Sequence, residues 1–256
     1  MKKLYYNWIS GIRKNFLFQI FVYIRYLRNF KKFLSLTKEY PIPSRFSISW
    51  HDRYPCLNDN TATTPFDRHY IYHPAWAARI VKKINPPVHI DISSTLCFCT
   101  MLSAFIPVNF YDYRPANLNL ENLTSNSIDI TNLPFDDNSI HTLSCMHTIE
   151  HIGLGRYGDP LDPDGDLKAI HELQRVLARD GDLLIVVPVG KPRIMFNAHR
   201  IYSYDQILNY FDKLTLNEFS LIPDYGEKGL IINATKDEAD NCIYGCGCFW
   251  FKRTEK

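Results

Sequence analysis

The chain has 256 residues, 46% of them hydrophobic and 22% charged, which is the composition of a globular protein with room for one substantial domain and an appendage, and it excludes a disordered chain. The formal net charge of +2 hides an asymmetry: residues 1–38 hold nine Lys and Arg and no acid, which leaves 20 basic against 27 acidic residues in the remainder. A net-acidic remainder without a basic stripe interleaved with aromatics argues against a nucleic-acid partner.

In residues 4–36 the series Ile9, Ile12, Phe16, Ile20, Tyr23, Leu27, Phe30 and Leu34 keeps helical spacing, with Trp8 beside it. Only ten uncharged residues separate Lys14 from Arg25, too few to cross a hydrocarbon core, and Arg25, Arg28 and Lys32 return on one face. Recurring charges and the lack of a small-residue cleavage site predict a retained segment of a cytoplasmic protein, not a secretory signal. A basic, aromatic-rich amphipathic helix suits an anionic membrane surface; the same pattern fits a helix packed on its own domain or on a partner. Pro41, Pro43, Pro55 and Pro65 then punctuate a polar stretch. The expected organisation is therefore a basic helical segment over 1–40, a connecting segment over 41–65 and a folded domain over 66–256.

From Val88 short apolar runs alternate with helical patterns, which predicts an α/β fold with a mostly parallel sheet flanked by helices. The expected strands are Val88–Ser93, Val108–Tyr113, His141–His147, Leu183–Pro188, Leu214–Leu221 and Cys242–Lys252. The expected helices are His73–Lys83, Thr95–Ala104, Asp164–Ala178 and Tyr204–Phe211. In the third of these, Asp164 or Asp166 is the expected cap, and Gly181 the stop before an apolar strand. Such a sheet binds ligands beyond the carboxyl ends of its strands, so strand-end residues are the ones to examine.

The seven cysteines, Cys56, Cys97, Cys99, Cys145, Cys242, Cys246 and Cys248, are an odd count among mostly apolar neighbours, a pattern suited to a reducing compartment. Cys242, Cys246 and Cys248 lie close together, but their surroundings read as a terminal strand and thiolate sites usually show two separated pairs, so no metal is expected.

Asp91 lies near the end of the first expected strand and Asp112 near the end of the second, Asp129 stands in Ile128-Asp129-Ile130, and the strand ending at His147 leads into Glu150-His151. Followed by Glu172-Leu173-Gln174-Arg175-Val176-Leu177 and by Gly181 before a strand, this succession resembles the Rossmann-like core of class I S-adenosyl-L-methionine-dependent methyltransferases. The wider runs His147–Pro160 and Phe196–Tyr202 are similar to the domain-of-unknown-function 268 family, whose members are regarded as methyltransferase-like; the resemblance covers about residues 70–210. It implies that Asp112 accepts the ribose hydroxyls of the cofactor, that Asp129 accepts the adenine amino group, that Ile130 packs on the base and that Asp91 lies by the methionine end. The chain departs from the pattern after its first strand, where Ile92-Ser93-Ser94-Thr95 replaces a glycine-rich turn. That loss would weaken a pyrophosphate ligand most, since its phosphates need bare backbone N–H groups. S-adenosylmethionine has no phosphate, and Ser93 and Ser94 are expected to present N–H and hydroxyl groups to its carboxylate.

His147-Thr148-Ile149-Glu150-His151 also matches an H-x-x-E-H zinc-hydrolase pattern, which requires a helix to aim both histidines at one metal. A strand runs into the motif, and Gly153 and Gly155 disfavour a helix after it. For methyl transfer, alignment and exclusion of water do most of the work, and a base is needed only if the acceptor loses a proton. His147, His151 and His199 are the candidates for it. Glu150, Tyr157 and Asp159 are placed with the substrate, and Arg193 and Arg200 suit an anionic acceptor. The acceptor class this favours is a small molecule or a carbohydrate, with surface glycan assembly as the context, and the rival reading is a catalytically degenerate scaffold.

Overall fold

The computed structural model describes residues 2–39, 46–224 and 228–254, with side chains of the first helix from Leu17 to Lys38. Pro41 and Pro43 lie outside the described residues, as do the side chains of Trp8, Ile9, Ile12 and Phe16. The chain divides into two compact units, Met1–Pro65 and Phe66–Lys256. In the first, helix α1 (Lys2–Glu39) keeps Leu17, Phe18, Phe21 and Phe33 more than half exposed, while Val22 is buried. Residues 46–65 form neither helix nor strand; Trp50 meets the Phe30 ring edge-on and carries the Arg53 guanidinium over its face. No helix among the described residues is long and apolar enough to cross a membrane.

The second unit is a sheet with helices on both faces. Its elements in order are α2 (Arg68–Ile84), β1 (His89–Ile92), α3 (Leu96–Leu102), β2 (Val108–Asp112), β3 (Leu123–Ser127), β4 (Ile140–Met146), α4 (Gly165–Val176), β5 (Leu177–Val189), β6 (Arg193–Met195), β7 (His199–Ile201), α5 (Tyr204–Tyr210), β8 (Thr215–Ile222), β9 (Ile231–Ile232), α6 (Lys236–Asp240) and β10 (Gly245–Lys252). The main sheet runs β3-β2-β1-β4-β5-β10-β8-β9, and β6 and β7 form a separate hairpin. β1 to β5 pair in parallel, and β10 lies antiparallel between β5 and β8.

Every residue of β5 from Gly181 to Val189 is buried because the strand is covered on both sides. Its alternation divides it: Leu183, Ile185, Val187 and Val189 join the layer of Ile170, Leu173 and Ile207, whereas Leu184 and Val186 join Trp76, Ile80, Phe98 and Trp250. Asp67 caps α2 by accepting the Tyr70 N–H at 3.2 Å, and Ser203 and Gln206 form a capping box on α5.

The structure corrects the expected boundaries of α4. Asp164 stands at the N-cap position but makes no side-chain cap bond, and Asp166 is committed to Tyr202 and Arg200. The helix ends at Val176, and β5 begins at once with a register shift against β4, so Gly181 lies inside the strand.

Within this apolar sheet β1 carries two polar side chains. Asp91 accepts the Ser94 N–H at 3.0 Å and a short hydrogen bond from the Ser144 hydroxyl, while His89 meets Thr142 and Ser144 on β4 with its two ring nitrogens. Burial lowers His89 to a pKa of about 3 and raises Asp91 to about 6. As pH falls, the unfolded state protonates this histidine first, so stability is lost from pH 6.5 down to about 3. The folded state protonates Asp91 first, so stability is gained as pH falls from about 6 to 3.8, and the two effects oppose one another there. Asp91→Asn is expected to unmask the histidine term, steepening the loss of urea stability between pH 6 and pH 4 by about 1.4 kcal/mol per pH unit. An unchanged slope would show that Asp91 does not titrate in that window.

Candidate functional site

A cleft of about 270 Å³ opens at the carboxyl ends of β1, β2 and β4. Ser93, Asp112, Asp129, Ile130, His147, His151, Tyr157 and Asp159, distant in sequence, all line it. Asp91 and Ser94 are buried behind it, and Glu150, His199, Arg193 and Arg200 are not among its lining residues.

The glycine-free turn after β1 still adopts a glycine-like backbone, with Ser93 at φ +57°. Side chains hold it there: Thr148 Oγ1 donates to the Ser93 carbonyl at 3.0 Å, and Ser94 Oγ accepts the Met146 N–H at 3.1 Å. The Ser93 N–H donates to Tyr111 O at 2.7 Å and the Ser94 N–H to Asp91, so both backbone donors expected to meet a ligand are used by the fold. Of the two serines, only Ser93 reaches the cleft.

Asp112 ends β2 and accepts the Arg114 N–H at 2.7 Å. Asp129 is exposed in the cleft, where Thr131 donates to it from N–H and hydroxyl at 2.9 and 2.7 Å, between the buried Ile128 and Ile130. This segment is tied to α4: Glu172 accepts the Leu133 N–H at 2.8 Å, and Arg175 donates to Leu133 O and Phe135 O, both at 2.8 Å. The run Glu172–Leu177 therefore fixes the strand-end loop that carries Asp129.

After β4 the chain makes a single 3-10 turn over Ile149–His151, so the H-x-x-E-H motif is not helical and its two histidines do not converge as in a zinc hydrolase. His147 Nδ1 donates to Glu150 Oε1 at 2.8 Å, and His151 Nδ1 donates to Ala198 O at 2.5 Å, because carboxylate and carbonyl only accept. Nε2 is thereby the nitrogen left to accept a proton in each ring. His151 Nε2 lies 3.8 Å from the same Glu150 oxygen. Burial alone would raise the Glu150 carboxyl, but the hydrogen bond from His147 and the charges of His147 and His151 outweigh it and hold the pKa below the usual range. His199 sits on the adjoining hairpin with its ring 6.3 Å from His151, and burial lowers its pKa.

The 153–165 loop forms one wall. Asp159 Oδ2 accepts the Gly153 N–H at 2.7 Å and Oδ1 the Tyr157 N–H at 3.1 Å, so its carboxylate organises its own loop. Tyr157 is clasped between Arg114 and Arg156, whose guanidinium carbons lie 4.6 and 5.0 Å from its ring centre. The two arginines expected to face an anionic acceptor do other work. Arg200 is buried against Asp166 and donates to Ile152 O and Pro163 O; Arg193 lies on exposed β6 and donates to Lys191 O and Ile243 O.

Several neighbours escaped sequence reasoning. His69 and Tyr70 of α2 stack on the His147 ring, His73 meets it edge-on, and Tyr244 stacks on His69. The i, i+4 spacing of His69 and His73 on a helix was the available signal, and starting that helix at His73 left His69 out.

Residues 129–222 match the model of the family described as "Caenorhabditis protein of unknown function, DUF268", and the resemblance to that family is shown over those residues. No curated protein matches the chain in sequence. Among solved structures, the YcgJ protein of Bacillus subtilis is similar at 13% identity and a TM-score of 0.51, over 72% of this chain and 99% of that one. A Burkholderia thailandensis 1,6-didemethyltoxoflavin-N1-methyltransferase, solved with S-adenosylhomocysteine, is similar at 11% identity and a TM-score of 0.49, over 72% of this chain and 79% of that one. The fold is Rossmann-like, that of class I methyltransferases.

Gly153 is where the cleft wall is most exposed to substitution. Its φ is +78°, and a Cβ there would lie 2.0 Å from the Asp162 carbonyl oxygen. Gly153→Ala is expected to cost about 2–3 kcal/mol in urea unfolding and to raise amide exchange across 153–165. A loss below about 0.5 kcal/mol would mean that the loop is not held as described.

Proposed function

We propose that the α/β domain binds S-adenosyl-L-methionine in the cleft and transfers its methyl group to a small-molecule or carbohydrate acceptor. The observation that carries this reading is the convergence of Asp112 and Asp129, from the ends of two adjacent parallel strands, with Ile130 on one cleft. Two carboxylates beside an apolar side chain fit a ligand that offers a hydroxyl pair, an amino group and a flat base. The cavity is near the small end of ligand sites, which run from about 300 to 1,000 Å³. The engaged N–H groups after β1 disfavour a pyrophosphate and leave Ser93 to meet the amino-acid end.

When bound, S-adenosylmethionine supplies an electrophilic methyl group on a sulfonium sulfur. The residues of the chain hold, orient and deprotonate. Asp112 is assigned the ribose hydroxyls and Asp129 the adenine edge. His151 Nε2 takes the proton of an acceptor hydroxyl, and Glu150, 3.8 Å away, stabilises the imidazolium that results. Tyr157 and its flanking arginines narrow the mouth and limit water.

Calorimetric titration with S-adenosylmethionine is expected to show one saturable site. Asp112→Ala should weaken it about 10- to 100-fold, the worth of charge-assisted hydrogen bonds. His151→Gln should leave that affinity intact and lower turnover about 100-fold or more once an acceptor is in hand. No heat at millimolar ligand, in folded protein, would overturn the reading and favour a scaffold.

The exposed Leu17, Phe18, Phe21 and Phe33 of α1, with exposed Arg28, Lys31 and Lys32, support attachment to an anionic membrane surface and so an acceptor in surface glycan assembly. Co-sedimentation with anionic vesicles should be strong at low salt and fall steeply at high salt. Protein that ignores such vesicles at low salt would rule the attachment out.

A further inference from the structure

At His147, which lines the cleft, begins a cluster that the methyl-transfer reading leaves unused. His69 of α2, His147 after β4 and Cys246 of β10 bring one ligand atom each to within 4.8 Å of one another. His147 and Cys246 are buried, and His69 is partly so. We propose that these three side chains form a binding site for a zinc ion, with a fourth coordination position left to water or a ligand.

Two imidazoles and one thiolate are a donor set that zinc accepts, and three protein ligands leave a position open. His147 Nε2 stands 3.4 Å from Cys246 Sγ. Two such donors on one tetrahedral zinc, at about 2.0 and 2.3 Å from the metal, are about 3.5 Å apart. The tautomer is right as well. The hydrogen bond from His147 Nδ1 to Glu150 keeps the hydrogen on that nitrogen and turns the lone pair of Nε2 toward the sulfur. A ligating histidine whose other nitrogen donates to a carboxylate is the usual outer arrangement of a zinc site.

Two further observations point to a missing partner. Glu150 is buried, and its Oε2 has no hydrogen-bond partner among the described residues. His73 is also fully buried with Nε2 unpartnered, and its ring centre lies 5.1 Å from that of His147. Native interiors rarely leave such atoms without a partner, and each belongs to a residue in contact with His147. The backbone adds a third: His147 is held at φ +56°, a conformation that a bulky side chain adopts at a cost and that occurs preferentially at functional sites.

Charge balances too. On binding, the thiol S–H bond breaks, the proton goes to solvent and the sulfur donates an electron pair to the ion. Zinc with one thiolate carries a residual positive charge, and the Glu150 carboxylate on His147 offsets it. The site does not depend on S-adenosylmethionine binding, since none of its ligands is assigned to that cofactor.

The test uses the full-length chain, freed of metal by chelation and dialysis, titrated with zinc chloride against a chromophoric chelator and, separately, with cobalt chloride. One equivalent of zinc is expected to bind, and cobalt should give an intense near-ultraviolet thiolate-to-metal band. Cys246→Ser should abolish that band and weaken zinc at least 100-fold. His69→Ala, a change at a partly exposed helix position, should weaken zinc at least 10-fold without loss of fold. Cys248→Ser, whose sulfur lies 4.0 Å from that of Cys246, should leave both signals in place. Failure of the folded wild-type chain to bind zinc, or binding unchanged in His69→Ala, would overturn the proposal.

Discussion

A carboxylate buried in the middle of a parallel sheet is costly unless its neighbours answer it, and Asp91 on β1 sets that condition for this fold. Ser144 answers it across the β1–β4 pairing, with its hydroxyl also held by His89 of β1, and Ser94 answers it from the turn beyond. A slip of β1 against β4 by one residue would strand the carboxylate among Leu143 and Cys145, so the polar contacts fix the register that the apolar pattern alone leaves loose. The same contacts position Ser93 at the cleft. Where related folds rely on glycine to make this turn, this chain braces a serine in the same backbone region with hydrogen bonds from both sides.

The electrostatics of the far wall follow a different rule. There one carboxylate, Glu150, faces several imidazoles within a largely buried space. Burial keeps His69 at a pKa of about 4 and His73 well below its usual value, so the rings are neutral near pH 7 and available as lone-pair donors. The Cys246 thiol is pushed up by burial for the same reason, that a lone charge is poorly tolerated there. A site built in this way favours ligands that bring positive charge or hydrogen-bond donors, whereas the Asp112–Asp129 side of the cleft sees solvent.

Much of the fold is legible in the sequence because its central strands are apolar and its helices amphipathic. β1, β2, β4, β8 and β10 and helices α3 to α5 sit within a few residues of their expected places, whereas α2 and β5 start well before theirs, at Arg68 and Leu177. The elements without such a signal are β3, a polar edge strand with the sequence Leu-Thr-Ser-Asn-Ser, and the short β6–β7 hairpin, β9 and α6. An edge strand with one sheet neighbour needs no apolar alternation, and a three-residue strand carries no period. Of the site, Asp91 and Asp112 could be placed from the sequence because each closes a largely apolar run, whereas Asp129 follows the polar β3 and stands out only by the Ile128-Asp129-Ile130 pattern. The pairing of His147 with Cys246 could not be placed, because it depends on which strand β10 lies beside. Arg200 was misleading for a related reason: a basic residue in a polar stretch gives no sign that carbonyl groups from a distant loop will consume its donors.

The position of β10 has a kinetic consequence. β8 precedes it in the chain, yet β8 and β9 touch the rest of the sheet only through it. Whether β8 pairs with β10 early or late, nothing beyond β5 can join until β10 docks antiparallel along β5, a non-local pairing that must meet its loop-closure entropy before any contact rewards it. The parallel half of the sheet, with Asp112 and Asp129, can assemble ahead of that step; Cys246 arrives only with it. The imidazole–thiol pair therefore forms only once β10 lies along β5, and its presence reports that this antiparallel pairing has been made.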